Sequence, residues 1–123
     1  MFKLIAIFLG GGLGATARYL TGLGCSKLCS NFPLGTLSVN IIGSFIMGFG
    51  FLLFMEKISV PNEFKLFLTV GFCGGLTTFS TFSLDVWNMF FVGEFLKALT
   101  YILLSLFLSL GALFAGVMVA KQF

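Results

Sequence analysis

The chain contains no histidine and only four carboxylates, Glu56, Glu63, Asp85 and Glu94. Three of those acids fall between the apolar stretches, and no two can oppose each other inside one, so general acid–base catalysis has no obvious pair to work with. Charged residues of both signs make up 9% of the sequence, far below the roughly 25% of a soluble domain. Cysteine is also scarce, at three residues. Cys25 and Cys29 stand four apart, but no histidine or further cysteine completes a metal site around them. Cys73 reads as a small apolar residue. The net charge of +3 rests on seven basic residues near the ends of apolar stretches. That distribution is one of interface anchors and not of a nucleic-acid footprint.

Hydrophobic residues fill 59% of the chain, which sets its class as an integral membrane protein. A helix needs about 20 apolar residues to span a bilayer. Four such stretches are present, approximately over 2–23, 35–55, 64–92 and 98–120. Residues 1–123 therefore read as a single four-span transmembrane domain, all-α, with short connections and antiparallel neighbours. With eighteen phenylalanines, a lone Phe carries little information. Gly10-Gly11-Gly12-Leu13-Gly14-Ala15 imitates a dinucleotide fingerprint, but no strand precedes it and the next acid is Glu56. Its glycines suit close helix packing instead. The N-terminus imitates a signal peptide, with Lys3, an apolar run and Ala15-Thr16-Ala17; the expectation is that it stays uncleaved as the first span.

The third stretch is too long for one simple span and is polar in its middle. It reads Gly71-Phe72-Cys73-Gly74-Gly75-Leu76-Thr77-Thr78-Phe79-Ser80-Thr81-Phe82-Ser83. Lipid offers the backbone no hydrogen-bond partners, so a non-helical stretch at membrane depth must be buried in protein or line a wet cavity. Gly71, Gly74 and Gly75 loosen the helix, and a break is expected at Gly74–Gly75, in mid-membrane. Broken helices mark ion and substrate sites in transport proteins. Two further polar stripes repeat at helical spacing: Thr36, Asn40 and Ser44 in the second stretch, and Tyr101, Ser105 and Ser109 in the fourth. Asn40 is either interhelical glue or part of a wet path; its amide needs partners that lipid lacks. One buried aqueous path explains all three polar surfaces economically. Arg18 and Asp85 fall in the same leaflet, where a pair between them, within or across chains, would lower the cost of both charges.

Such a lining has no fixed charge at its centre. Hydroxyls and an amide donate hydrogen bonds, and aromatic ring edges carry the positive end of the quadrupole; both suit a small hydrated anion. The freed carbonyls of a broken helix are acceptors and suit a cation such as sodium.

Three motifs in order now identify a relationship. Gly11-Gly12-Leu13-Gly14-Ala15-Thr16-Ala17-Arg18-Tyr19, Gly35-Thr36-Leu37-Ser38-Val39-Asn40, and Gly71 through Phe82 make the chain resemble the CrcB/Fluc family of fluoride channels along essentially its whole length. The resemblance implies passive export of fluoride across the cell membrane by an antiparallel, dual-topology homodimer with two pathways. It implies that Phe79 and Phe82 are the paired pore phenylalanines and Asn40 the pore asparagine, with Ser80, Thr81, Tyr101, Ser105 and Ser109 as a polar track. It also implies a structural sodium ion at the dimer centre, held by the backbone carbonyls of Gly74 and Thr77 from each subunit.

Charge distribution gives a separate check on topology. Lys3, Lys57, Lys65 and Lys121 would share one side; Arg18, Lys27 and Lys97 would share the other. So even a balance gives almost no positive-inside bias. Two alternatives belong to other classes. A small four-span multidrug or cation exporter would need a carboxylate in its first span, and residues 2–23 have none. A non-conducting scaffold subunit would leave the polar stripes without a role.

Overall fold

The computed structural model describes residues 1–123 and is all-helical. α1 spans Phe2–Leu28 and α2 spans Leu34–Leu52, which continues as a π-helical turn over Leu53–Lys57. The third segment consists of α3 (Asn62–Leu66), a π-helical stretch (Phe67–Cys73), α4 (Gly74–Leu76) and α5 (Phe79–Phe91). α6 spans Phe95–Ala120. Four segments of 27, 24, 30 and 26 residues are long and apolar enough to cross a membrane. They continue past the sequence expectation at several ends, most of all at α1, which adds the turn carrying Cys25, Ser26 and Lys27.

Only 20 of the 123 residues are buried, so most of the large apolar side chains lie outside. A soluble monomer rarely exposes so much apolar surface. Here lipid or a partner must cover it, and the helices are held by close packing between backbones. A side chain at Gly10 would strike the carbonyl of Phe67, one at Gly14 the carbonyl of Phe72, and one at Gly75 the carbonyl of Gly11. The paired numbers rise together, so α1 and the third segment run parallel. α2 and α6 are likewise parallel: Leu37 packs with Ala98 and Tyr101, a side chain at Gly48 would meet the carbonyl of Leu113, and Phe49 lies against Phe123.

The small apolar core joins α2, α5 and α6 through Leu37, Met89, Ala98 and Tyr101, with Phe82 and Val86 against it. Between α5 and α6 the chain reverses at Gly93, whose φ of 82° is the left-handed conformation that favours glycine. The Glu94 N–H reaches the Met89 carbonyl at 2.8 Å and the Gly93 N–H reaches that of Phe90 at 3.0 Å. That paired pattern satisfies the last carbonyls of α5.

The extended residues in the third segment are Thr77 (φ −82°, ψ 154°) and Thr78 (φ −153°, ψ 118°). Gly74 and Gly75, the expected place of the break, are helical. Gly71 and Gly75 are small because α1 lies against them, not because the helix ends there.

The seam between α2 and α6 can be tested directly. Gly116→Val forces a side chain onto the Phe45 carbonyl, and overpacking of this kind costs about 1–3 kcal/mol. The variant is expected to unfold at a clearly lower temperature in detergent than the parent. Gly111→Ala, with no atom within 4 Å of the new methyl, should match the parent. Equal melting of the two variants would show that the seam does not depend on backbone contact.

Candidate functional site

The two extended residues expose backbone groups that a continuous helix would have paired. Asn40, on α2, meets them. The Thr78 N–H donates to Asn40 Oδ1 at 2.8 Å, and Asn40 Nδ2 donates to the Thr78 carbonyl at 3.2 Å. One side-chain amide thus acts on Thr78 as a neighbouring strand would. The donor and acceptor on Thr78 also fix which end of the Asn40 amide is oxygen. Thr78, itself buried, then starts α5 as its N-cap: its Oγ1 accepts from the Thr81 N–H at 3.1 Å and lies 3.2 Å from Ser80 Oγ.

These bonds redirect two specific donors. In an unbroken helix the Thr78 N–H would bond the Gly74 carbonyl, and the Thr81 N–H that of Thr77. Both N–H groups instead go to side chains, Asn40 Oδ1 and Thr78 Oγ1. Gly74 and Thr77 are therefore left as acceptors without their helical partners. Gly74 lies on the exposed side of the segment.

Beside the extended residues is a cavity of about 580 Å³. Asn40, Phe79, Phe82, Ser105 and Ser109 line it, together with Ser44, Thr77 and Thr78. Five of the eight residues expected on an ion path thus share one space. The rings of Phe79 and Phe82 are 5.5 Å apart and inclined at 46°. Phe79 is 78% exposed in the single chain. Ser105 and Ser109 behave unusually for helical hydroxyls. Thr21, Thr69, Ser83 and Thr100 bond back to the carbonyl four residues earlier, the common solution for such groups. The buried Oγ atoms of Ser105 and Ser109 have no partner in the chain. A buried polar group left unpaired costs about 1–3 kcal/mol, which directs attention to what the cavity accepts.

The remaining expected residues sit around this cavity. Ser80 is exposed and joins it through Thr78. Thr81 lines a second cavity of about 430 Å³ with Arg18 and Thr36. Tyr101 is fully buried behind Phe82, at 5.1 Å between ring centres. Its hydroxyl donates to Asp85 Oδ2 at 2.9 Å. Asp85 lines a third space, of about 390 Å³, with Thr36, Cys25, Cys29 and Lys97.

The expected Arg18–Asp85 pair does not form within the chain. The only ion pair is Lys97–Glu94, at 3.0 Å. Arg18 and Asp85 face different cavities, and the Tyr101 hydroxyl occupies Asp85, while the buried Arg18 Nε has no partner in the chain. Sequence reading also passed over Thr78. The available signal was its place as a threonine just before a resuming helix; what it could not reveal was the partner 38 residues away.

Fold and cavity define a four-span membrane protein with an uncharged, largely apolar cavity, carrying a few hydroxyls and one amide, beside an extended break. Residues 5–117 match the family profile described as "CrcB-like protein, Camphor Resistance (CrcB)". The chain is 45% identical over 119 residues to the fluoride-specific ion channel FluC of Nitrobacter winogradskyi, covering 96% of this chain and 94% of that one. It is 41% identical to the FluC of Sulfurihydrogenibium sp., with 99% of each covered. Against the FluC of Bacteroides fragilis it is 43% identical, over 100% of this chain and 99% of that one. The chain belongs to the CrcB family.

The Asn40 bridge should be measurable as stability. Asn40→Ala leaves the Thr78 N–H and carbonyl unpaired, at about 1–3 kcal/mol per group. Ser44→Ala, one turn further along the same stripe, removes no side-chain bond seen in the structure. A melting temperature lowered in Asn40→Ala and unchanged in Ser44→Ala is expected; equal values would mean that the bridge contributes nothing.

Proposed function

We propose that this protein is a fluoride-selective channel of the cell membrane that lets fluoride leave the cytoplasm passively. The observation that carries the reading is the cavity beside Asn40. It offers hydrogen-bond donors and ring edges without a fixed charge, and two of its hydroxyls are kept free of their own helix. A small anion gives up strongly held water, so its path must replace those contacts one by one. Ser105 and Ser109 can donate their hydroxyl protons, and Asn40 retains one amide N–H beyond the one given to Thr78. The positive edges of Phe79 and Phe82 can complete the shell between donors. Ser80 and Thr81 would continue the track, and Tyr101 and Asp85 would stand at one end of it. Relatives named as fluoride-specific channels support the choice of ion. The reaction is transport, with no bond made or broken.

The working unit in this proposal is an antiparallel homodimer of dual topology. A two-fold axis in the membrane plane would bring the third segment of one chain against its own copy, as in inverted-repeat transporters. The exposed Gly74 backbone and the exposed Phe79 ring both lie where a second copy could cover them. Gly74 and Thr77 fit a cation: their carbonyls are hard oxygen donors whose helical N–H partners have been taken elsewhere. In the dimer these carbonyls would hold a structural sodium ion, whose charge would neutralise the converging carbonyl dipoles.

Fluoride efflux from liposomes holding only this purified chain tests the function. Efflux without a proton gradient or ATP is expected, with chloride much slower. Equal rates for the two anions, or none for either, would defeat the proposal. Phe79→Ile and Phe82→Ile should each cut fluoride flux strongly while the dimer still assembles, and Asn40→Asp should suppress flux by placing an acceptor and a negative charge on the path. Normal flux in all three would put these residues off the path.

Topology has its own measurement. Lys121→Cys, in a background without Cys25, Cys29 and Cys73, should be labelled by a membrane-impermeant thiol reagent from both faces of the membrane. Labelling from one face only would rule out dual insertion.

A further inference from the structure

We propose that Thr78 is a positioning residue for the cation site: together with Asn40 it keeps the Gly74 and Thr77 carbonyls free by capturing the N–H groups that would otherwise bond them. The inference rests on the sodium reading given above and adds the cause of the site. The two carbonyls expected to face the ion are three residues apart, and each would normally be capped by the N–H four residues on. For Gly74 that donor is the Thr78 N–H, which lies 2.8 Å from Asn40 Oδ1; for Thr77 it is the Thr81 N–H, which lies 3.1 Å from Thr78 Oγ1. Neither donor has a second acceptor in the structure.

A simple break would not be enough. A helix that ends at Leu76 frees carbonyls, but the chain could recover them by relaxing Thr77 and Thr78 back toward helical angles. The Asn40 bridge and the Thr78 cap oppose that relaxation from two sides. Asn40 holds Thr78 extended through both of its backbone groups. Thr78 holds the first turn of α5 away from Thr77. Because Thr78 also lines the cavity with Asn40, Phe79 and Phe82, one residue fixes both the cation ligands and the start of the helix carrying the ring pair. Asn40 thereby belongs to two sites at once: it lines the anion cavity and frees a cation ligand on the far side of the same backbone.

The test is the effect of sodium on the thermal stability of the purified full chain, compared with the same concentration of N-methylglucamine. A ligand that binds only the folded state raises the melting temperature, by an amount that grows with the logarithm of its concentration above its dissociation constant. The wild type is expected to melt higher in sodium. Thr78→Val keeps the volume and loses the acceptor, so this sodium-dependent shift should disappear. Thr78→Asn supplies another N-cap acceptor and should restore it. Gly111→Ala, with no atom within 4 Å of the new methyl, should keep the wild-type shift. If Thr78→Val does not fold, Asn40→Ala gives the same readout through the Gly74 carbonyl. A wild-type shift that persists undiminished in Thr78→Val, or in Asn40→Ala when that variant is used, would overturn the positioning role while leaving the sodium reading intact. No shift in the wild type would overturn the sodium reading itself, and the positioning role with it.

Discussion

Everything near the centre of this protein depends on how a membrane-embedded backbone satisfies its hydrogen bonds where it stops being helical. Asn40 supplies the solution by pairing with both backbone groups of Thr78. The arrangement is economical because a single amide replaces two lost helical contacts. It is also demanding, since α2 must hold Asn40 at one height opposite Thr78. Gly43 of α2, lying against the Thr77 side chain, and Gly35, lying against Gly22 of α1, provide that fixed spacing. Close backbone packing and a polar break therefore belong together: the first makes the second affordable.

The chain separates polar groups into those that are satisfied and those that are left waiting. Thr21, Thr69, Ser83 and Thr100 are tied to their own helices and line none of the three cavities described above. Ser105 and Ser109 are not tied. Sequence spacing cannot distinguish these two groups, because both are hydroxyls on apolar helices. The difference lies in where each hydroxyl comes to rest relative to its own helix and the cavity, and so it emerges only in three dimensions.

Much of the site could nevertheless be read in advance. The spacing of Asn40 within its stripe, of Phe79 and Phe82, and of Ser105 and Ser109 placed them on common faces, and the fold brings these five into one space. Four apolar segments followed from length and composition alone. The details that escaped are those set by distant partners. Thr78 looked like one hydroxyl among many until Asn40 stood beside it. Arg18 and Asp85 read as a pair in the sequence, but the Tyr101 hydroxyl takes Asp85 and the two charges line different cavities. Gly74 and Gly75 looked like helix breakers, yet helices tolerate glycine where another backbone needs the room, as α1 does at Gly75.

The contact between α2 and α6 reaches beyond packing. Asn40 stands on one of these helices, Ser105 and Ser109 on the other, and all three line the same cavity. Where Gly48 and Gly116 bring the helices together, main chain rests on main chain. Side chains can change rotamer and lipids can change thickness, but peptide planes in van der Waals contact have almost no slack. In the channel proposed above, the gap between amide and hydroxyls would thus be gauged by the width of the polypeptide itself, a rigid standard against which a small ion's size would be judged.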